Sequence, residues 1–219
     1  MTLLETRNGD YSAVCALDFS HPPLYYDTFA LRDIEGDPTI TMTWPYFLAP
    51  ESRKAMISNV PVPVQSCWNG MVIFQAESFY GDKPLKFRGL PDSLAMYHLE
   101  ASECCLIHLD NKLSATRGVW LNPNVRVSYN EVADKVVSPQ IDIWPSRGRK
   151  LLGIWENRWA RWSGWPWRRR ERRVVSKRIQ AWRDEATKSG EDRIEVGTHC
   201  VIDEMQILVY NGWEHQRRI

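Results

Sequence analysis

The 219-residue chain contains no uninterrupted apolar run of about 18 residues, the length that a membrane-spanning helix needs. Residues 1–10 carry Glu5 and Asp10 and lack the apolar centre of a signal peptide, so a soluble chain is expected. No C-x-x-C pair is present, which argues against a structural zinc site. There is no G-x-G-x-x-G, P-loop, H-E-x-x-H or G-x-S-x-G string. P-loop nucleotide hydrolysis, zincin chemistry and the commonest serine hydrolases are thereby disfavoured. Excess charge is missing too: 28 Lys and Arg against 27 Asp and Glu leave a net charge of +1, which names no partner.

What is present is ordinary for a globular protein, with 43% hydrophobic and 25% charged residues. The length suits one large domain, or a domain with an appendage. The five cysteines are Cys15, Cys67, Cys104, Cys105 and Cys200. Their odd number and apolar neighbours favour buried free thiols over a disulfide framework. A single bridge through Cys67 or Cys200 is the alternative.

Several stretches place polar groups at the ends of apolar runs. Residues 11–19, YSAVCALDF, read as a buried strand ending at Asp18, before the loop Ser20-His21-Pro22-Pro23. A carboxylate at the C-terminal end of such a strand either caps it or holds a ligand. Residues 24–37 set Asp27, Arg32 and Asp33 among aromatics, as a salt-bridge network or as groups that orient a sugar or phosphate. Residues 52–57 read as a short helix, and 71–74 as a buried strand. The turn Trp68-Asn69-Gly70 offers a stacking face, a donor with an acceptor, and close backbone approach. In residues 102–111, SECCLIHLDN, Glu103, His108 and Asp110 flank an apolar run. Such a run either has merely solvated ends or delivers side chains to a cleft. Residues 118–129 fit a strand pair, or one strand with a proline-containing break. Residues 136–144 read as a connector, and residues 200–210 as a buried strand or helix.

The chain has 11 tryptophans, and Trp155, Trp159, Trp162, Trp165 and Trp167 are crowded together among arginines. The first three fall at i, i+4 and i+7, one face of a helix that Gly164 and Pro166 interrupt. Basic residues interleaved with aromatics suit nucleic acid or anionic lipid. Glu156, Glu171, Asp184 and Glu185 dilute the charge, however. The expectation is therefore an amphipathic helical hairpin whose tryptophans pack on the main domain.

Five strings together resemble one family: LYYDTFALRD (24–33), VPVQSCWNGMVIF (62–74), SECCLIHLDN (102–111), GVWLNPNVRVSYN (118–130) and IDEMQILVYNGW (202–213). They are similar to the fungal α-1,3-mannosyltransferases, the group of cryptococcal mannosyltransferases and capsule-associated proteins classed as glycosyltransferase family 69. That resemblance implies an α/β, GT-A-like domain that transfers mannose from GDP-mannose to a mannose-containing acceptor with retention. It also implies a divalent metal, Mn²⁺ or Mg²⁺, and a Golgi membrane location through an anchor absent from this chain. No nucleic-acid partner is implied. Family members begin upstream with an anchor and a strand–helix region, so the chain is expected to be N-terminally truncated and to lack part of the donor site.

Under that resemblance, Glu103 and Asp110 are the catalytic candidates. Asp27, Arg32, Trp68, Asn69, Gly70, Asn122 and Asn124 are the substrate-binding candidates, and Asp18 and His108 the metal ligands. Residues 1–146 would form the C-terminal part of the catalytic domain, 147–190 the Arg/Trp-rich helical segment, and 191–219 a closing segment packed back on the domain. The alternative is a non-catalytic relative that binds glycan or a partner protein.

Overall fold

A computed structural model describes residues 2–80, 82–137, 145–209 and 212–216. From the N-terminus, β1 (Ala13–His21) turns into β2 (Leu24–Tyr25), and β3 (Arg32–Asp33) follows a loop. Helix α1 (Pro50–Ile57) precedes β4 (Val62–Ser66) and β5 (Val72–Phe74). Short α2 (Asp92–Ala95) and β6 (Glu100–Ala101) lead into α3 (Glu103–Asp110) and α4 (Ser114–Arg117). Then come β7 (Val119–Ser128) and α5 (Glu131–Val137), followed by the long helices α6 (Arg147–Ser163) and α7 (Trp165–Ser189). The last described elements are β8 (Val201–Ile202), β9 (Met205–Val209) and β10 (Gly212–Gln216). The architecture is mixed α/β.

β1 is the spine because its residues are apolar on both faces until Asp18. Alternation sends Ala13, Cys15, Leu17 and Phe19 into the main core, with Tyr46, Phe47, Met56 and Leu121. Val14 and Ala16 face a second cluster with Leu3, Tyr11, Val125 and Val127. The six-stranded sheet runs β2-β1-β7-β4-β3, with β5 also pairing β1. Only the β1–β7 pairing is parallel. Its register slips where Cys15 opposes Leu121 but Leu17 opposes Arg126. The slip takes up Asn122, Pro123 and Asn124, because proline cannot donate to a ladder. Residues 118–129 are therefore one strand with a break, the second of the two sequence alternatives.

Other expectations change. The thiols are not all free: Cys15 bonds Cys67, and Cys105 bonds Cys200, leaving Cys104 alone. Partners separated by 52 and 95 positions cannot be matched by spacing; only the pairing of β1 beside the 67–70 turn, and of α3 beside residue 200, brings the sulfurs together. Apolar surroundings, read as a sign of free thiols, equally suit a buried bridge. β5 is half-buried rather than buried, since it lies at the sheet edge. The 200–210 region is divided between β8 and β9, and the connector at 138–144 lies outside the described residues.

The Arg/Trp segment does form two helices. Gly164 ends α6, and Pro166 sits in the first turn of α7, where its missing N–H costs nothing. Val175, Ile179, Trp182 and Ala186 make the buried stripe of α7, the first three packing with Leu94, Leu99 and Val201. Trp155, Trp159, Trp162, Trp165 and Trp167 are all exposed, contrary to the expectation that they pack on the domain.

Candidate functional site

The C-terminal ends of the parallel strands β1 and β7 hold a buried polar cluster. Asp18 is fully buried in the C-terminal half of β1, which continues to His21. Its Oδ1 accepts the backbone N–H of Asp27 at 3.3 Å, and its Oδ2 accepts the Tyr129 hydroxyl at 3.1 Å. Asp27 in turn accepts the N–H of Asn69 at 2.9 Å on Oδ2 and that of Ala30 at 3.1 Å on Oδ1. Asn69 is fully buried in the left-handed conformation, with φ 55°. Gly70 follows with φ 70°, and a Cβ there would meet Val127, Asp18 and Tyr129 within 3.3 Å. Glycine at this position lets the turn press against the carboxylate.

The electrostatics of this cluster are strained toward neutral forms. Burial, then the charge of Asp27, pushes the Asp18 carboxyl up to about 6. Burial, then Asp18, pushes Tyr129 up to about 12. Tyr25 is raised well above its ordinary value by burial and then by Asp27 and Asp18. Two carboxylates are thus crowded together in a setting that contains no compensating cation among its hydrogen-bond partners. Four buried polar atoms nearby in the fold have no hydrogen-bond partner: Asn69 Nδ2, Tyr25 Oη, Tyr46 Oη and Arg126 Nε. Orphaned buried donors are uncommon in folded proteins and mark places where a ligand or water completes the bonding.

Trp68 stands beside this turn with its ring edge-to-face on Phe87, centroids 5.6 Å apart. Glu103 is the first residue of α3, exposed, behind the N-cap Ser102, whose hydroxyl accepts the Cys104 N–H at 3.2 Å. Burial, then the charges of Glu103 and Asp27, holds the Cys104 thiol up at about 11. The start of α3 therefore lies within electrostatic reach of Asp27. Asp18, Asp27, Asn69, Gly70 and Tyr129 converge, with Trp68 adjoining in the same turn.

The remaining sequence candidates have other surroundings. His108 is fully buried, stacked on Phe74 at 5.1 Å, and its Nε2 donates to the Cys67 carbonyl at 2.6 Å. Burial holds its imidazole down to about 4. Its possible metal-ligand neighbours are Cys15 and Cys67, whose sulfurs are already bonded to each other. Among the described residues, Asp18 and His108 form no common ligand cluster. Asp110 accepts Arg88 through both oxygens, at 2.6 and 3.1 Å, while Arg88 also grips Glu195 at 2.8 and 3.0 Å. That clasp borders a cleft of about 830 Å³ lined in part by Ser78, Lys83, Lys86, Asp110 and Asn111. Arg32 is buried, and it donates to the carbonyls of His199, Phe29 and Leu31. Asn122 donates to Thr6 and accepts the Asn124 N–H, while Asn124 donates to the Asn59 carbonyl. These two asparagines hold the irregular part of β7 in shape.

Sequence reasoning passed over Tyr129, Tyr25 and Tyr46. Tyr129 follows the end of a strand-like stretch, yet nothing in its spacing relates it to Asp18. The register that sets Asp18 opposite Val127 does so.

A family model described as cryptococcal mannosyltransferase 1 matches residues 1–110. No curated protein and no solved structure matches the chain. The matched span contains Asp18, Asp27, Trp68, Asn69, Gly70, Glu103 and Asp110, and stops before Tyr129 and the two long helices. The chain belongs to the cryptococcal mannosyltransferase 1 family, whose name is that of a sugar-transferring enzyme.

Proposed function

We propose that this chain transfers mannose from GDP-mannose to a mannose-containing acceptor, forming an α-1,3 linkage with retention, on a GT-A-like domain. The observation that carries the reading is buried Asp18, toward the C-terminal end of β1 where it runs parallel to β7, bonded to half-buried Asp27 of the following loop and edged by the unpartnered Asn69 Nδ2. Ligands of α/β sheets collect at such strand ends.

The chemistry demands neutralisation of a diphosphate leaving group and stabilisation of an oxocarbenium-like sugar. Asp18 and Asp27 supply hard oxygen donors suited to Mn²⁺ or Mg²⁺, which are commonly held by one or two carboxylates together with substrate phosphates. Burial, and after it the charge of Asp27, raises Asp18, and a divalent cation at the pair would offset both. Such a cation, when bound, supplies charge neutralisation for the diphosphate. The protein's own groups do the rest. Asn69 Nδ2 donates to a sugar or phosphate oxygen, Trp68 offers a ring face to the sugar C–H surface, and Glu103 orients the acceptor hydroxyl.

Calorimetric titration with GDP-mannose, with and without Mn²⁺, tests this. Binding that requires Mn²⁺ and is lost in Asp18→Asn and Asp27→Asn supports it; no heat in either condition counts against donor binding by this chain. A second reading, glycan binding without transfer, draws on Asp110 being held in the Arg88–Glu195 clasp. It expects acceptor glycan to bind while GDP-mannose does not.

A further inference from the structure

Helix α6 has two faces with opposite fates. Its inner face is fixed to the domain. Gly153 lies so close to the Trp44 carbonyl that a Cβ would sit 1.9 Å from it. Asn157 Nδ2 donates to the Phe47 carbonyl at 3.2 Å, and Ile154 packs on the main core. The outer face carries Leu151, Leu152, Trp155, Trp159 and Trp162, exposed by 65%, 64%, 64%, 64% and 72%. At about 100° per residue these five fall within an arc of about 100°, roughly opposite Gly153 and Asn157. A continuous indole-and-leucine stripe of this kind marks an interaction site, whereas scattered exposed apolar residues do not.

The charges around the stripe are mostly cationic; the acid beside it, Glu156, accepts the Thr43 hydroxyl. Arg158 lies over Trp155 at 5.0 Å, Arg169 over Trp165 at 5.1 Å and Arg170 over Trp167 at 6.0 Å. Beside Trp165 opens a cleft of about 730 Å³ lined by Arg161, Arg168, Arg169, Arg172 and Arg173, with Glu35 and Asp37 on its other wall. Arg172 pairs with Asp37, and Arg168 donates to the Ala160 and Arg161 carbonyls at 3.1 and 2.7 Å. Arg169, Arg170 and Arg173 remain exposed.

We propose that the outer face of α6 and the first turns of α7 seat the protein on an anionic phospholipid surface. Trp155, Trp159 and Trp162 enter the boundary between headgroups and acyl chains, and Arg169, Arg170 and Arg173 meet lipid phosphates. Tryptophan suits that boundary, since its ring is apolar and its N–H polar. Arginine keeps its charge at the headgroups while its stem covers apolar surface. Nucleic acid would meet the arginines but leave Leu151 and Leu152 in water. A second copy would cover the stripe but bring two arginine clusters together. A lipid surface satisfies both features at once.

The test uses the full chain and vesicles of phosphatidylcholine alone or mixed with phosphatidylserine, followed by co-sedimentation and tryptophan emission. The expected result is binding to the mixed vesicles with a blue-shifted emission, weakened by salt. Trp155→Ala/Trp159→Ala/Trp162→Ala should lower partitioning about tenfold or more. Arg169→Glu/Arg170→Glu/Arg173→Glu should remove the preference for phosphatidylserine. Circular dichroism melts check that the variants fold; if the triple tryptophan variant does not, Trp162→Ala and the arginine variant decide. Absence of vesicle binding, unchanged partitioning of the tryptophan variant, or a dimer in sedimentation velocity that the tryptophan substitutions dissociate would each overturn the proposal.

Discussion

The backbone N–H of Asp27 donates to the Asp18 carboxylate at 3.3 Å. With the Tyr26 N–H on the Asp18 carbonyl at 3.2 Å, this bond ties β1 to the loop beyond β2 and brings a second carboxylate beside a buried first one. Asp27 then reaches Asn69 at 2.9 Å, so one acidic pair holds the loop and the Trp68-Asn69-Gly70 turn together. Under the proposed function, stability and sugar transfer make opposing demands on the same atoms.

The opposition should be visible in pH dependence. Asp18 ionises at about 6 in the folded chain and near about 3.9 when unfolded. Its raised value means that the folded state holds the proton more tightly. The associated stability is fully present below the unfolded value and is lost as pH rises through about 6. Two pH units correspond to about 3 kcal/mol at most. In chelator-treated protein, Asp18→Asn should melt higher than wild type at pH 7 and match it near pH 4, while donor binding disappears. Parallel melting curves for the two proteins across that range would refute the assignment.

His108 and Glu103 should separate stability from activity. His108→Ala leaves the Cys67 carbonyl without its donor and a cavity against Phe74, at a cost of about 2–4 kcal/mol. Glu103 is exposed, so Glu103→Gln should leave the melting temperature unchanged and lower transfer about tenfold or more. A His108→Ala protein that melts like wild type yet has lost transfer would return His108 to the site. The imidazole, held down to about 4 by burial, contributes stability above its unfolded value that is lost as pH falls through about 4.

Thiol counting checks the bridges directly. Alkylation in denaturant without reductant should label one cysteine, Cys104, and all five after reduction. Removing either bridge should cost about 2–5 kcal/mol, whereas Cys104→Ser should leave the melting temperature within a degree or so. Three labelled thiols before reduction would mean that one bridge does not form.

Gly70→Ala puts a methyl group against Val127 and Asp18 at a backbone φ of 70°. The expected cost is about 1–2 kcal/mol, with donor affinity falling further than stability accounts for. A variant that binds GDP-mannose as wild type does would separate the Trp68-Asn69-Gly70 turn from the site.

The legible parts of the fold were the ones with local causes. The YSAVCALDF strand, the 52–57 helix, which the structure extends back to Pro50, and the break at Gly164 and Pro166 follow from periodicity, composition and proline chemistry. The Trp68-Asn69-Gly70 turn was legible as a turn because asparagine and glycine both tolerate a positive φ. The burial of His108 was not legible because a histidine beside an acid looks the same in sequence whether it faces solvent or Phe74. The Arg88 clasp on Asp110 was not legible because the two residues lie 22 positions apart.

The sequence by itself determined the family, the mixed α/β character, the strand that carries Asp18 and the two basic, tryptophan-rich helices. Each rests on interactions between near neighbours or on a matched string. Only the tertiary structure decided which cysteines pair, that Tyr129 reaches Asp18, that His108 lies in the core, and that the α6 tryptophans face outward. Those outcomes depend on contacts between residues tens of positions apart, where strand register and the burial of one helix face rather than the other set the answer.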